Sequence, residues 1–275
     1  MVSDGTVNSS EVITQEAVRN QMEAVAEENL VFRDAFRQID ASDISSGSLE
    51  IPVLGDNGEE AGVVGEGTAY PRDDDEQTSK TTLGFDKYGT EVEITYESIQ
   101  DGLFDVVAAH ADDKARALSE GLDAAAYSVL NSNLNAAGPV GAASGDMTYD
   151  DVVDAMTELE TDSYEPDLLF VSPDSKGDLL KSAEFTRASE MGDEVIRDGA
   201  FGEVAGVSVM VSNTGDLGAG EGILVDSDAY GYEGVREGFT SMEYEVENEN
   251  KRVIQVRTRM GWVAVKPDAG IKITA

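Results

Sequence analysis

Cysteine is absent from the 275 residues, which excludes disulfides, thiolate zinc centres and thiol nucleophiles. Histidine occurs once, at His110; any hydrolytic triad would have to recruit that one imidazole, and alone within a helical pattern it reads as an ordinary surface or core residue. Long apolar runs are missing too: none approaches the ~20 residues of a membrane span. Met1-Val2-Ser3-Asp4 opens acidic with no apolar stretch behind it, unlike a secretory signal. The expectation is a protein made in the cytoplasm that stays soluble until it assembles or acts. Positive charge is scarce. Nineteen Lys and Arg stand against 56 Asp and Glu, a formal charge of −37, too few cations to track nucleic-acid phosphates.

What is plentiful is carboxylate, and it is spread along the chain (Glu27, Glu28, Asp43, Glu59, Glu60, Asp112, Asp113, Asp193, Glu194, Glu247, Glu249) instead of gathered in a tail. So large a charge opposes compaction in dilute buffer. In molar salt the screening length falls to roughly 3 Å and the repulsion largely vanishes. The distribution suits a hydrated surface adapted to high salt better than one acidic binding patch; an acidic binding protein from an ordinary habitat is the plainer alternative. Eleven of the cations are Arg and eight Lys, which leans the same way. With 40% hydrophobic residues the chain has material for a packed core.

Periodicity divides the chain. A narrow apolar stripe from Val12 to Phe36 predicts one broken helix or two short ones. Ser48–Val53 and then Lys80–Phe85 and Thr90–Tyr96 read as strands, separated by glycine-punctuated sequence. On the last of these, Val92, Ile94 and Tyr96 alternate with Glu91, Glu93 and Thr95. So few large apolar residues make a poor core, which suggests a ribbon that buries Ile51, Val53, Leu83, Phe85, Val92 and Ile94 on another subunit. Residues 98–134 predict a long helix carrying Leu103, Val107, Leu118, Leu122, Ala126 and Leu130, capped by Ser98 or Asp101 and ended by Gly138-Pro139. A compact α/β unit follows: helix Asp150–Leu159, strand Asp167–Val171, a helix opened by Ser172-Pro173, and strands Gly206–Val211 and Gly222–Val225. The remaining residues are β, with a turn at Glu247–Asn250 and a strand from Arg252 to Val265. That strand sets Ile254, Val256, Thr258, Met260 and Trp262 on one face and Arg257 and Arg259 on the other.

Chemistry-bearing motifs are weak. Gly62–Gly67 and Gly199–Gly202 lack the Lys-Ser/Thr pair and the following helix that a phosphate loop needs. Asp73–Glu76 could hold a hard cation but lacks the glycine an EF-hand loop requires, so a solvated acidic loop is the simpler reading. No catalytic, cofactor-binding or metal residue is assigned, and no enzyme activity is expected. Arg257 and Arg259 are the one local concentration of cation on a regular element, and carboxylates within the subunit or across an interface would meet them.

The order of parts resembles the tailed-virus major capsid proteins, whose Hong Kong 97-type fold encapsulin shells share. The local likenesses are Gly65-Glu66-Gly67 followed by Lys80–Leu83, the turn into a strand at Phe201–Val209, and the closing segment Arg257–Ala269. The resemblance implies an α+β fold with an N-terminal arm (1–45), an extended β-loop (46–97), a spine helix with a peripheral β-hairpin (98–134 with 229–275) and an α/β axial domain (135–228). It also implies a homo-oligomer of pentamers and hexamers enclosing double-stranded DNA in a virion, and the acidic composition points that virion to a halophilic, archaeal virus. Such a shell is assembled in the host cytoplasm with scaffold, portal and decoration partners and no membrane. Arg257, Arg259, Lys80 and Lys87 are its candidate intersubunit contacts. Some members join a loop lysine to an asparagine of another subunit, although most do not; Lys80 or Lys87 with Asn248 or Asn250 would serve here. The chain opens without a long coiled coil, so a built-in scaffold would be cleaved away or replaced by a separate protein. An encapsulin-like compartment and a halophilic α/β enzyme are the alternatives.

Overall fold

A computed structural model describes residues 30–44, 46–53, 79–101, 106–135, 140–141, 145–181, 202–214 and 216–274. The helical pattern expected between 12 and 29, the glycine segment 62–67 and the acidic run 73–76 lie outside them.

The longest β element is a hairpin of β9 (Gly231–Val246) and β10 (Lys251–Ala264). Its turn closes through Asn250 at φ 48, a left-handed conformation that asparagine tolerates better than most residues. On the far side of β10 runs β4 (Asp86–Thr95), antiparallel, from Lys251↔Thr95 to Met260↔Asp86. On the far side of β9, β1 (Arg37–Asp40) pairs in parallel with Tyr232–Val235. The result is a four-stranded sheet in the order β1-β9-β10-β4. β4 therefore belongs to the body of the molecule, where the sequence placed it in the extended loop.

One face of this sheet is covered by α2 (Val106–Ser132), about 40 Å long at ~1.5 Å per residue. Ala115, Leu118, Leu122, Ala126 and Leu130 recur at helical spacing and are buried with Ile94, Ile254, Val256, Met260 and Trp262. The single spine expected over 98–134 is preceded by a separate short helix, α1 (Tyr96–Asp101). Its start is held by the Thr95 hydroxyl, which accepts from the Ser98 amide at 3.4 Å, whereas the residues just before α2, 102–105, lie outside the described ones. Leu30 to Phe36, expected to be helical, form a 3-10 turn at Phe32–Ala35 leading into β1. That turn is gripped from two sides. Buried Asp123 of α2 accepts from the Val31 and Phe32 amides, both at 2.8 Å, and Arg33 Nε reaches buried Glu233 of β9 at 2.9 Å.

The second sheet has five strands in the order β11-β8-β5-β7-β6: β5 (Leu168–Val171), β6 (Glu203–Val204), β7 (Val207–Val211), β8 (Glu221–Val225) and β11 (Gly270–Thr274). β6 and β7 meet at Ala205 and Gly206, both with positive φ, the mirror-image turn that suits a two-residue hairpin. α3 (Tyr149–Thr161) starts at a reciprocal cap between Thr148 and Asp151. α4 (Pro173–Lys181) begins where the Ser172 hydroxyl accepts from the Ser175 amide. α5 (Ser227–Tyr230) links β8 to β9. The sequence put the whole C-terminal stretch with the hairpin, but the chain crosses over after Ala264. β11 pairs with β8, and Ile271 and Ile273 bury against the group that includes Val152 and Leu159.

β2 (Ser48–Val53) and β3 (Ser79–Gly84) form an antiparallel ribbon, with Ser48↔Gly84 at its root. The root rests on the hairpin where Gly261 faces Gly234 across β9 and β10. A Cβ at Gly261 would stand 1.8 Å from the Gly84 carbonyl oxygen, and one at Gly234 would stand 2.6 Å from the Leu83 and Phe85 side chains. Only glycine permits this approach. It buries Ile51, Leu83 and Phe85 inside the subunit, with Ala41, and Ile94 lies under α2, against the expectation that all these wait for a neighbour. Val53 and Val92 are half-buried.

Candidate assembly surfaces

Residues opposite one another in adjacent strands share a face, and faces alternate along each strand. Gly261 faces the ribbon root, so Arg259 and Arg257 face the same way, opposite to Met260 and Val256 under α2. Arg259 lies directly across from Lys87 on β4 and from Glu237 on β9. Arg257, one pleat further from the ribbon, holds Glu237 through Nη2 at 3.2 Å. Register thus brings three of the four candidate cations, Lys87, Arg257 and Arg259, onto one open surface. Sequence spacing linked only the two arginines; Lys87 is brought in by the β4–β10 pairing, for which nothing local in the sequence was a signal.

The fourth, Lys80, stands apart on the ribbon. Its ammonium pairs with Glu50 at 2.8 Å across β2 and β3, both side chains mostly in solvent. The contact raises the lysine pKa and lowers that of Glu50, in each case chiefly through the hydrogen bond between them. An exposed pair of this kind adds little stability.

Toward the hairpin tip the same open face turns apolar. Met242 and Tyr244 are 49% and 43% exposed and lie opposite Gln255 and Val253. β1 pairs only as far as Val235, so β9 continues beyond it as a sheet edge. Between the ribbon root and the sheet is a notch of about 570 Å³ lined by Ser42, Asp43, Ile44, Arg236, Glu237 and Arg259. Arg236 donates to the Ser46 carbonyl at 2.8 Å and lies over the Phe85 ring, tying the sheet to the ribbon.

Among the described residues no three metal-ligating side chains cluster, and no helix is long and apolar enough to cross a membrane. His110 is exposed on α2.

The phage capsid protein family matches residues 79–273. The chain belongs to that family. Capsid proteins are structural, and this one is not an enzyme. A major capsid protein of Staphylococcus phage phiMR11 is 30% identical over 230 residues, 82% of this chain and 80% of that one. Among solved structures, the capsid of Cyanophage P-SCSP1u matches with a TM-score of 0.70 at 14% identity over 90% of this chain and 88% of that one. The virus-like particle from Pyrococcus furiosus matches at 0.60 and 12% identity over 94% and 99%. At these identities the structural likeness speaks for the fold, and the mixed α+β, Hong Kong 97-type capsid fold expected from the sequence is the one present.

Proposed function

We propose that this capsid protein is the major shell subunit of a tailed virus of halophilic archaea, assembling as pentamers and hexamers into an icosahedral container for double-stranded DNA. The family match across both sheets carries the shell-building part. The dispersed excess of carboxylate supports the saline habitat, because 56 acids against 19 cations repel one another unless salt screens them. In this reading residues 1–45 are the arm and the ribbon is the extended loop of 46–97, less the β4 stretch that joins the sheet. α2 with the four-stranded sheet is the peripheral domain and the five-stranded sheet the centre of the axial domain. The open face with Lys87, Arg257 and Arg259, and the ribbon with Lys80, meet neighbouring copies. Scaffold, portal and decoration proteins complete the assembly in the host cytoplasm.

Electron microscopy and sedimentation of the purified protein in molar salt test this. Closed particles that dissociate on dialysis to low salt are expected; a chain that stays monomeric in molar salt would overturn it. Likeness to a virus-like particle supports a second reading, a shell that carries protein cargo. Nucleic acid inside purified particles decides for the virus, and its absence with a protein cargo decides for the compartment. Boiled particles running as monomers on denaturing gels would exclude a lysine–asparagine cross-link.

A further inference from the structure

At the edge of the notch, Arg259 and the neighbouring Lys87 form an electrostatic arrangement that the described residues leave incomplete. Lys87 and Arg259 are directly opposed on β4 and β10, and like charges so placed destabilise a sheet unless an anion answers them. Among the described residues neither has a carboxylate within ion-pair distance, and Arg259 Nε is buried without a hydrogen-bond partner. Glu237, the acid nearest in register, is already engaged by Arg257. Asp43, on the ribbon-root wall, forms no ion pair among the described residues, and Arg236 is bound to the ribbon. In a chain with about three acids to each cation, adjacent basic side chains that no described acid takes up form a socket for a carboxylate. An arginine fork and a neighbouring ammonium suit it in geometry as well as charge.

We propose that this notch receives an Asp or Glu side chain of a second copy of the chain. The inference rests on the shell-subunit reading, which supplies the copies, and the surplus of acids on every copy supplies the charge complementarity.

The absence of native cysteine allows a clean test. Ser42→Cys places the only thiol of the chain on the notch wall, where its reaction with a maleimide reports access. Rates are compared for dissociated subunits and for particles emptied and treated with nuclease. Labelling about tenfold slower in particles is expected, and Arg259→Glu, which turns attraction for the incoming acid into repulsion, should lower particle yield at a given salt concentration by about tenfold or more. The circular dichroism and melting of dissociated Arg259→Glu subunits should match the parent, separating lost assembly from lost folding. Particles that form normally but whose introduced thiol reacts at the subunit rate would overturn the notch and leave the shell reading standing. Protection that disappears with nuclease treatment would also overturn it, in favour of a nucleic-acid phosphate. A parent chain that forms no particles would overturn both.

Discussion

The two sheets solve the burial problem in opposite ways. In the five-stranded sheet the central strands are buried on both faces. Leu169, Phe170 and Val171 of β5 and Ile223, Leu224 and Val225 of β8 are each fully buried in sequence. Phe170, Ile223 and Val225 pack toward Phe32 and α2, while Leu169, Val171 and Leu224 pack toward α3. Such a sheet needs nothing from outside. In the four-stranded sheet burial alternates: Ile254, Val256, Thr258 and Met260 lie under α2, and the intervening Gln255, Arg257 and Arg259 stay half-exposed. The first sheet makes the subunit stable. The second buries one face under α2 and only part of the other under the ribbon root, and among the described residues the rest of that face has no covering element.

The comparison is broken most severely by Phe170→Ala. The ring lies 5.3 Å from Phe32 and is wholly buried, so its loss should cost the subunit about 3–5 kcal/mol in denaturant melts. Next comes Gly261→Ala. Its new methyl group meets backbone at Gly84 and forces the ribbon root off the hairpin, at about 1–3 kcal/mol, with faster proteolysis of the ribbon as a second readout.

Asp123 sharpens the contrast through pH. Burial above all, helped by the Asp216 and Asp34 carboxylates, pushes its pKa from 3.8 up to about 6, although two backbone amides pull the other way. Between those values the folded chain holds a proton that the unfolded chain has released, so this site's contribution to stability falls as pH rises through that window. Asp123→Asn keeps the amide-accepting oxygen without the buried charge. Its melting curve should coincide with the parent's near pH 4 and exceed it above pH 6 by about 1–3 kcal/mol. A gain that does not depend on pH would refute the assignment.

The smallest effect on folding is expected for Arg257→Ala, which opens a half-exposed ion pair with Glu237. Subunit melting should move by less than about 1 kcal/mol. If it matches the loss at Phe170, the open face is part of the folding core and the division between the sheets fails.

Much of the local structure was legible from periodicity. The buried face of α2, the Ser172-Pro173 helix start and the two faces of β10 follow from which side chains recur at helical or alternating spacing. What misled was composition. The ribbon's few large apolar residues suggested burial on another subunit, yet Ile51, Leu83 and Phe85 are buried at home because two glycines, distant from the ribbon in sequence, allow its backbone to come close. The candidate cations were partly legible: the arginines announced themselves by spacing, whereas Lys87 acquired its meaning from a partner strand.

By itself the sequence determined the acidity, the lack of thiol and multi-histidine chemistry, and most element types, because each depends on residue identity or on spacing along one segment. Tertiary structure alone decided that β4 joins the hairpin, that β11 crosses to the other sheet and that Lys87 faces Arg259. Strand pairing is a contest among distant segments for shared burial and backbone hydrogen bonds, and no single stretch of chain contains its outcome.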